Sequence, residues 1–357
     1  MPGRLAAPLL VAATLLGVLL SPSGSVVAQD VPAADAPTPV VDLLAGRTIT
    51  SAPERPADLV VIVSIDGLRA DAIAPALNAF AMLRRRGVSA DAASTIRRST
   101  TLASHASMLS GVDVDAHGMT WNAWRPERGR VHFPTVLQVA ARAGLPAAMF
   151  VGKNKLRHLV AEDDPGVAFT VNGRGCGSVV DRATPWLRDT AAGVALLHFA
   201  GPDGAGHRRG WMSPAYQTAV ADADACLQRV IDDLRARPTG LQHVLLLVTA
   251  DHGGHGRSHG TALDVDRHIP WFAWGGAAAR AQTITRPVST MDTAATVLAA
   301  LGLPQTPGIV GRPVTEALRP RNAVVAGAGA ARPTGRPSAR RGGALGRVAR
   351  APTRSSQ

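Results

Sequence analysis

The chain has 357 residues, 46% apolar, 4% aromatic and 18% charged. That is enough to bury one large core or two ordinary ones, and it excludes a peptide, a coiled coil or a fully disordered protein. The formal charge of +12 would suggest a nucleic-acid or anionic-membrane face, but nine arginines between Arg319 and Arg354, with Arg4, account for ten of those charges. The body between is nearly neutral, so no specific nucleic-acid partner is expected.

Residues 1–28 read as an export signal: Arg4, the apolar run Leu9 to Leu20, then Val26-Val27-Ala28 as a cleavage site. An uncleaved membrane anchor is the alternative, although the run is short of the ~20 residues a membrane helix needs. Cleavage would leave the protein secreted or associated with the cell envelope. Residues 29–57 hold five prolines and little periodicity, as an extended linker would.

From residue 58 to 318 short β-branched runs alternate with longer helical patterns, which predicts an α/β sheet covered on both faces. Strands are predicted at Leu59–Ile65, Ala147–Val151, Val194–Phe199, Val244–Thr249 and Ile269–Trp274. Each is a near-continuous apolar run, as a strand buried on both faces should be. Helices are predicted at Ala74–Arg86, Pro134–Ala143, Pro214–Arg235 and Thr290–Leu301. Ser213 before Pro214 supplies an N-cap followed by proline at the first helical position.

Cys176 and Cys226 are the only cysteines. In an exported chain they can oxidise, and closing a loop of fifty residues would contribute about 4 kcal/mol in the chain-entropy model. Residues 319–357 are Arg, Pro, Gly, Ala and Ser with almost no large apolar side chain, so disorder is expected there. Such a basic arm could make weak contact with anionic cell-envelope polymers.

Chemistry gathers at strand ends, where open α/β sheets bind ligands. The first predicted strand runs into Asp66-Gly67, the third leads to Asp203 and His207, and the fourth ends in Asp251-His252-Gly253. His255 and His259 follow in a Gly-rich loop. Carboxylates and imidazoles converging on one edge would repel or stay unsatisfied without a cation, and this mixture of donors suits zinc. Between the first two sites, Ser99 to Ser107 is a hydroxyl-rich helix start. Beside two metals, one of those hydroxyls can serve as a nucleophile.

These residues resemble the alkaline phosphatase superfamily, in particular its type I phosphodiesterase/nucleotide pyrophosphatase branch. The resemblance spans Leu59 to Val314 and rests on parts in the family's order: Asp66-Gly67, Thr101-x-x-x-His105, Ser110-Gly111, His117-Gly118, Pro202-Asp203-x-x-Gly206-His207, Thr249 to Gly253, His259-Gly260 and Gly311-Arg312-Pro313. It implies a three-layer α/β/α sandwich around a mostly parallel sheet. It also implies two zinc ions, one on Asp66, Thr101, Asp251 and His252, the other on Asp203, His207 and His259, with His255 the rival for the last place. Thr101 would be the nucleophile, forming a phosphothreonine that water then hydrolyses. Asn122 would bond a non-bridging phosphoryl oxygen, and His105 and His117 match positions with a structural role.

The chain's only lysines, Lys153 and Lys155, stand two residues apart after a predicted strand, although arginine is used everywhere else. The segment resembles the Lys-x-Lys-Leu-Arg stretch of phosphonoacetate hydrolases, which implies two ammonium groups on a dianionic phosphoryl or phosphonyl group. The expectation is therefore an exported two-zinc phosphoester hydrolase acting on small phosphomonoesters or phosphonates. The alternatives are a phosphodiesterase or nucleotide pyrophosphatase with the same nucleophile, and, in another class, an inactive envelope-binding protein. A sulfatase is disfavoured because no Cys/Ser-x-Pro-x-Arg segment stands at Thr101 to His105.

Overall fold

The computed structural model describes residues 40–42, 47–49, 55–160, 166–173 and 175–320. The expected signal, most of the linker and nearly all of the Arg-rich tail lie outside the described residues. Contacts separate residues 1–52 from residues 53–357. In the first unit, within the segment read as a linker, β1 (Val40–Asp42) pairs antiparallel with β2 (Arg47–Ile49), Val40 opposite Ile49.

The second unit is built on β3 (Leu59–Ile65), β4 (Val88–Ala90), β5 (Ala93–Ser94), β6 (Ala147–Val151), β7 (Val167–Val171), β8 (Gly193–Phe199), β9 (Val244–Thr249), β10 (Trp271–Trp274), β11 (Gln282–Ile284) and β12 (Val288–Ser289). Eight of them form one sheet in the order β11-β4-β10-β9-β3-β8-β6-β7, while β5 and β12 pair separately. Only β10 runs antiparallel to its neighbours. Every residue of β3, β6, β8 and β9 is buried, so each Val, Leu or Ile there contributes roughly 1.5–3 kcal/mol by leaving water.

The helices are α1 (Asn78–Arg86), α2 (Thr101–Ser110), α3 (Val114–His117), α4 (Val136–Arg142), α5 (Gly175–Asp189), α6 (Gly201–Arg209), α7 (Pro214–Arg235), α8 (Asp264–Arg267) and α9 (Asp292–Ala300). Helix α7 packs against α1, α5 and α6, while α2, α4 and α9 pack on one another, giving helical layers over a mostly parallel sheet. Among the described residues no helix is long and apolar enough to cross a membrane.

Differences from the sequence expectation have specific physical causes. Helix α1 starts at Asn78 instead of Ala74 because its first turn is capped from a distance: the Asp224 carboxylate on α7 accepts the N–H groups of Ala79 and Phe80 at 3.3 and 3.0 Å. Strand β10 starts at Trp271 and not Ile269 because Pro270 has no N–H to place in the ladder. The stretch from Gly201 to Arg209, with glycines at 201, 204 and 206, is a helix that propensity would not suggest. Cys176 and Cys226 are joined, tying the first turn of α5 to the middle of α7 with their Cα atoms 6.1 Å apart.

Candidate active site

Register puts the chemistry on one edge. Ser64, near the end of β3, lies between His198 of β8 and Thr249 of β9, and His198 in turn lies beside Val151 of β6. The residues that follow these strands, Asp66, Asp203, Asp251, His252 and Lys153, therefore emerge together. Gly67 closes the approach: its φ is +70°, and a Cβ there would sit 2.8 Å from Asp203 Cα. Its N–H donates to Asp251 Oδ1 at 3.1 Å, and its carbonyl accepts from Trp211 Nε1 and Tyr216 Oη at 2.9 Å each.

Two groups of potential metal ligands result, Asp66–Asp251–His252 and Asp203–His207–His259, the donor atoms of each within 4.8 Å of one another. In the second group Asp203 and His207 lie one helical turn apart on α6, which is what makes the glycine-rich helix useful. His259, and not His255, joins them. The His255 ring instead bonds Asp266 Oδ1 at 2.8 Å and holds the loop together. His252 and His259 stack with ring centroids 3.7 Å apart, linking the two groups.

The protonation pattern fits a cation. Nδ1–H of His252 donates to Gly253 O at 2.8 Å, that of His259 to Ser99 O at 2.9 Å and that of His207 to Arg257 O at 3.0 Å. Each Nε2 lone pair is thereby turned into the site. Burial lowers the pKa of His252, and burial with the neighbouring His252 ring lowers that of His259 to about 4, so both rings are neutral. Facing them, Asp66 Oδ1, Asp203 Oδ1 and Asp251 Oδ2 are buried without a hydrogen-bond partner among the described residues. Orphaned carboxylate oxygens beside aimed imidazole lone pairs are the donor set of a metal centre, and two such groups suit a binuclear one.

Thr101 opens α2, buried, with its Oγ1 3.4 Å from His252 Nε2 and 3.4 Å from Lys153 Nζ. Lys153 Nζ also lies 2.7 Å from Asp66 Oδ2 and 2.5 Å from Asp203 Oδ2, between the two groups. Burial opposes its charge, but attraction to Asp66, Asp203 and Asp251 outweighs burial and the ammonium is retained. Burial likewise disfavours the Asp66 carboxylate, yet Lys153 and His198 hold it well below the usual range. For Asp251, burial and repulsion from Asp66 win, and its pKa is pushed well above that range. Asn122 Oδ1 accepts from Leu102 N and from Lys155 Nζ, both at 3.0 Å, so the amide NH2 is the part left to meet a ligand.

Several positioning side chains carried no sequence signal. His198 and Tyr216 read as strand and helix residues and Trp211 fell in no predicted element, yet His198 bonds Asp66 and Trp211 packs against both His207 and His259, at 5.1 and 5.8 Å between centroids. Gly206 leaves room for that indole, since a Cβ there would meet it at 2.6 Å. His105 bridges Thr101 O at 2.7 Å and Ser64 Oγ at 2.9 Å, and His117 bonds Ser107 Oγ at 3.0 Å, both fully buried.

The sequence profile described as type I phosphodiesterase/nucleotide pyrophosphatase matches residues 60–274, more than half of the chain. The chain belongs to the type I phosphodiesterase/nucleotide pyrophosphatase family. It is thus a phosphoester hydrolase by family, and both of its Asp/His groups lie within the matched region. No curated protein matches the sequence. Among solved structures, an inactive variant of murine ectonucleotide pyrophosphatase/phosphodiesterase 5 in complex with AMP is similar at 16% identity and a TM-score of 0.59, covering 70% of this chain and 96% of that one. A phosphonate monoester hydrolase from Silicibacter pomeroyi aligns at 17% identity and a TM-score of 0.53, over 72% and 76%. A 2-O glycosaminoglycan sulfatase aligns at 15% and 0.58, over 72% and 73%. At such identities these likenesses establish the alkaline phosphatase-like fold. Family membership favours diester and pyrophosphate substrates over the monoester preference expected from the lysines alone.

Proposed function

We propose that this member of the family hydrolyses phosphodiester or pyrophosphate bonds of small molecules through Thr101, with two zinc ions held by Asp66, Thr101, Asp251 and His252 and by Asp203, His207 and His259. The observation that carries this reading is the position of Thr101 Oγ1 at a helix N-terminus, 3.4 Å from His252 of the first Asp/His group and 3.4 Å from the Lys153 ammonium, which itself contacts Asp66 and Asp203 of the two groups. Nitrogen and carboxylate donors in these numbers suit zinc. When bound, the ions would supply Lewis-acid polarisation of the phosphoryl group and of the nucleophile.

The chain's own groups account for the rest. Thr101 Oγ1 forms a bond to phosphorus as the ester or anhydride oxygen departs, and water then cleaves the phosphothreonine and restores the hydroxyl. The N-terminus of α2 and Lys153 stabilise negative charge at Oγ1 and on the phosphoryl oxygens. The Asn122 amide, held by Leu102 N–H and Lys155, offers its NH2 to a non-bridging oxygen.

A second reading, phosphomonoester or phosphonate hydrolysis, is favoured by one observation. Both lysine ammonium groups reach the phosphoryl end of the site, Lys153 at Thr101 and Lys155 at Asn122, and two ammonium groups favour a dianion over a monoanionic diester. A side-by-side assay with a nitrophenyl monoester, a bis-nitrophenyl diester and phosphonoacetate, with and without zinc, decides between them. Zinc-dependent turnover led by the diester supports the first reading; turnover led by the monoester or phosphonate supports the second. The disulfide and the expected signal segment both support an exported enzyme, which N-terminal sequencing of the secreted protein would test.

A further inference from the structure

Behind the phosphoryl end of the site, two segments far apart in sequence are stitched through one imidazole. His158 is fully buried in the short 3-10 turn Asn154–Leu159, three residues beyond Lys155. Its Nε2 faces two donors, Trp121 Nε1 at 3.2 Å and the Arg125 backbone N at 2.9 Å, while its Nδ1 donates to Gly129 O at 2.6 Å. Its backbone carbonyl accepts from Val131 N at 2.9 Å, and Arg130 Nη1 donates to the next carbonyl back, that of Arg157, at 2.8 Å. Trp121 and Trp124 close over the ring, with centroids at 5.2 and 4.6 Å. The loop held in this way begins beside Asn122, whose side chain bonds Lys155 from the same turn.

We infer that His158, as a neutral imidazole, is a positioning residue for phosphoryl binding: it locks the Trp121–Val131 loop to the Lys155 turn so that Asn122 and Lys155 meet the substrate as a fixed pair. This rests on the proposed hydrolase function. The hydrogen-bond geometry demands the neutral form, because Nε2 accepts from two N–H groups and a proton there would oppose both. The charged residues of the two segments are Arg125, Glu127, Arg128 and Arg130 on the loop and Lys155 and Arg157 on its own turn, and of these Arg130 and Glu127 act on the ring. Burial disfavours the cation, as does Arg130, whereas the Gly129 and Ala123 carbonyls and Glu127 favour it; the net direction is downward. Acidification below the ordinary imidazole range would therefore release the loop and loosen Asn122 and Lys155 together.

The test uses the metal-loaded full chain and its His158→Gln and His158→Ala variants. Glutamine places a neutral acceptor near the position of Nε2, whereas alanine removes it. Tryptophan emission is followed from about pH 8 to about pH 4 without substrate, because an imidazolium quenches an adjacent indole. The expected result is an acid transition in emission in the wild type that is absent in His158→Gln, with far-UV circular dichroism unchanged. KM should rise about tenfold along the same limb in the wild type and at all pH values in His158→Ala, with kcat changed much less. The KM of His158→Gln should stay flat. An identical emission transition in His158→Gln, or a loss confined to kcat with KM unchanged, overturns the inference, and if His158→Ala does not fold, His158→Gln decides alone. An emission transition without any phosphoester turnover would instead leave the latch standing and remove the hydrolase reading.

Discussion

His198 Nε2 donates a 2.8 Å hydrogen bond to Asp66 Oδ2, with both side chains fully buried. The donor assignment follows from the other side of the ring, where Nδ1 accepts from Gly152 N at 3.2 Å. The bond occupies one carboxylate oxygen and leaves Asp66 Oδ1 directed at the metal group, and it ties that carboxylate to the strand end that carries Lys153. Outer partners of this kind commonly account for 10–100-fold in metal affinity. His198→Ala should therefore weaken zinc binding by about that factor in calorimetric titration of the apoprotein. An unchanged affinity would reduce His198 to a packing residue.

Thr101→Ala should abolish turnover of every phosphoester while thermal stability and zinc content remain near wild type, since the lost hydroxyl is one donor among several. Rapid acid quenching of the wild type during turnover should capture phosphate on Thr101 in a peptide digest. Retained activity in the alanine variant would mean that another group attacks.

Removing the metals should destabilise the site as well as silence it. Asp66, Asp203 and Asp251 each carry a buried oxygen without a partner among the described residues, and an ion bound only by the folded state adds stability by mass action. Zinc added to the chelated protein should raise the melting temperature together with activity, in proportion to occupancy. If chelation leaves both unchanged, the two-metal assignment is falsified.

Lys155→Ala and Lys153→Ala should separate. Lys153 contacts Asp66 and Asp203 as well as Thr101, so its loss should reduce hydrolysis of all substrates. Lys155 touches Asn122, so its loss should raise KM for a dianionic monoester or phosphonate roughly tenfold more than for a diester. Equal losses across substrates would remove the dianion argument.

Cys176→Ser should lower stability by about 2–4 kcal/mol, as expected for opening a loop of this size, and denaturant unfolding measures it. Because the bond ties α5 to α7 rather than the strand ends, kcat/KM at low temperature should change little. A large loss of activity at unchanged stability would point to a direct role near α6.

Much of the site was legible because its chemistry is local in sequence. Asp66-Gly67, Asp251-His252-Gly253 and the Asp203-to-His207 spacing each place a ligand type immediately beyond an apolar run, and strands read as apolar runs end where side chains meet solvent. The hydroxyl run Ser99 to Ser107 gains a use only beside those sites, and the resemblance alone picks Thr101 out of it. Asn122 and the two lysines were found by resemblance and composition. What stayed hidden is non-local. His198 sits in the middle of an apolar strand pattern, Trp211 follows a glycine-rich stretch with no helical signal, and His158 resembles any turn histidine.

By itself the sequence determined five of the eight strands of the large sheet, the order of the ligand-bearing turns and the family, because long apolar runs and short turns depend on near neighbours, whereas the short or half-exposed strands β4, β7 and β11 form only through pairing. Only the tertiary structure decided which of His255 and His259 faces Asp203 and that Asp224 caps α1 from a distance. It also set His198 against Asp66, and His158 against Trp121, Arg125 and Gly129. Each of these depends on strand register and helix packing that bring residues dozens to more than a hundred positions apart within hydrogen-bond distance. The opening charge of +12 sorts in the same way: composition located most of it at Arg319 to Arg354, but only the fold set Lys153 and Lys155 against Asp66, Asp203 and Asn122.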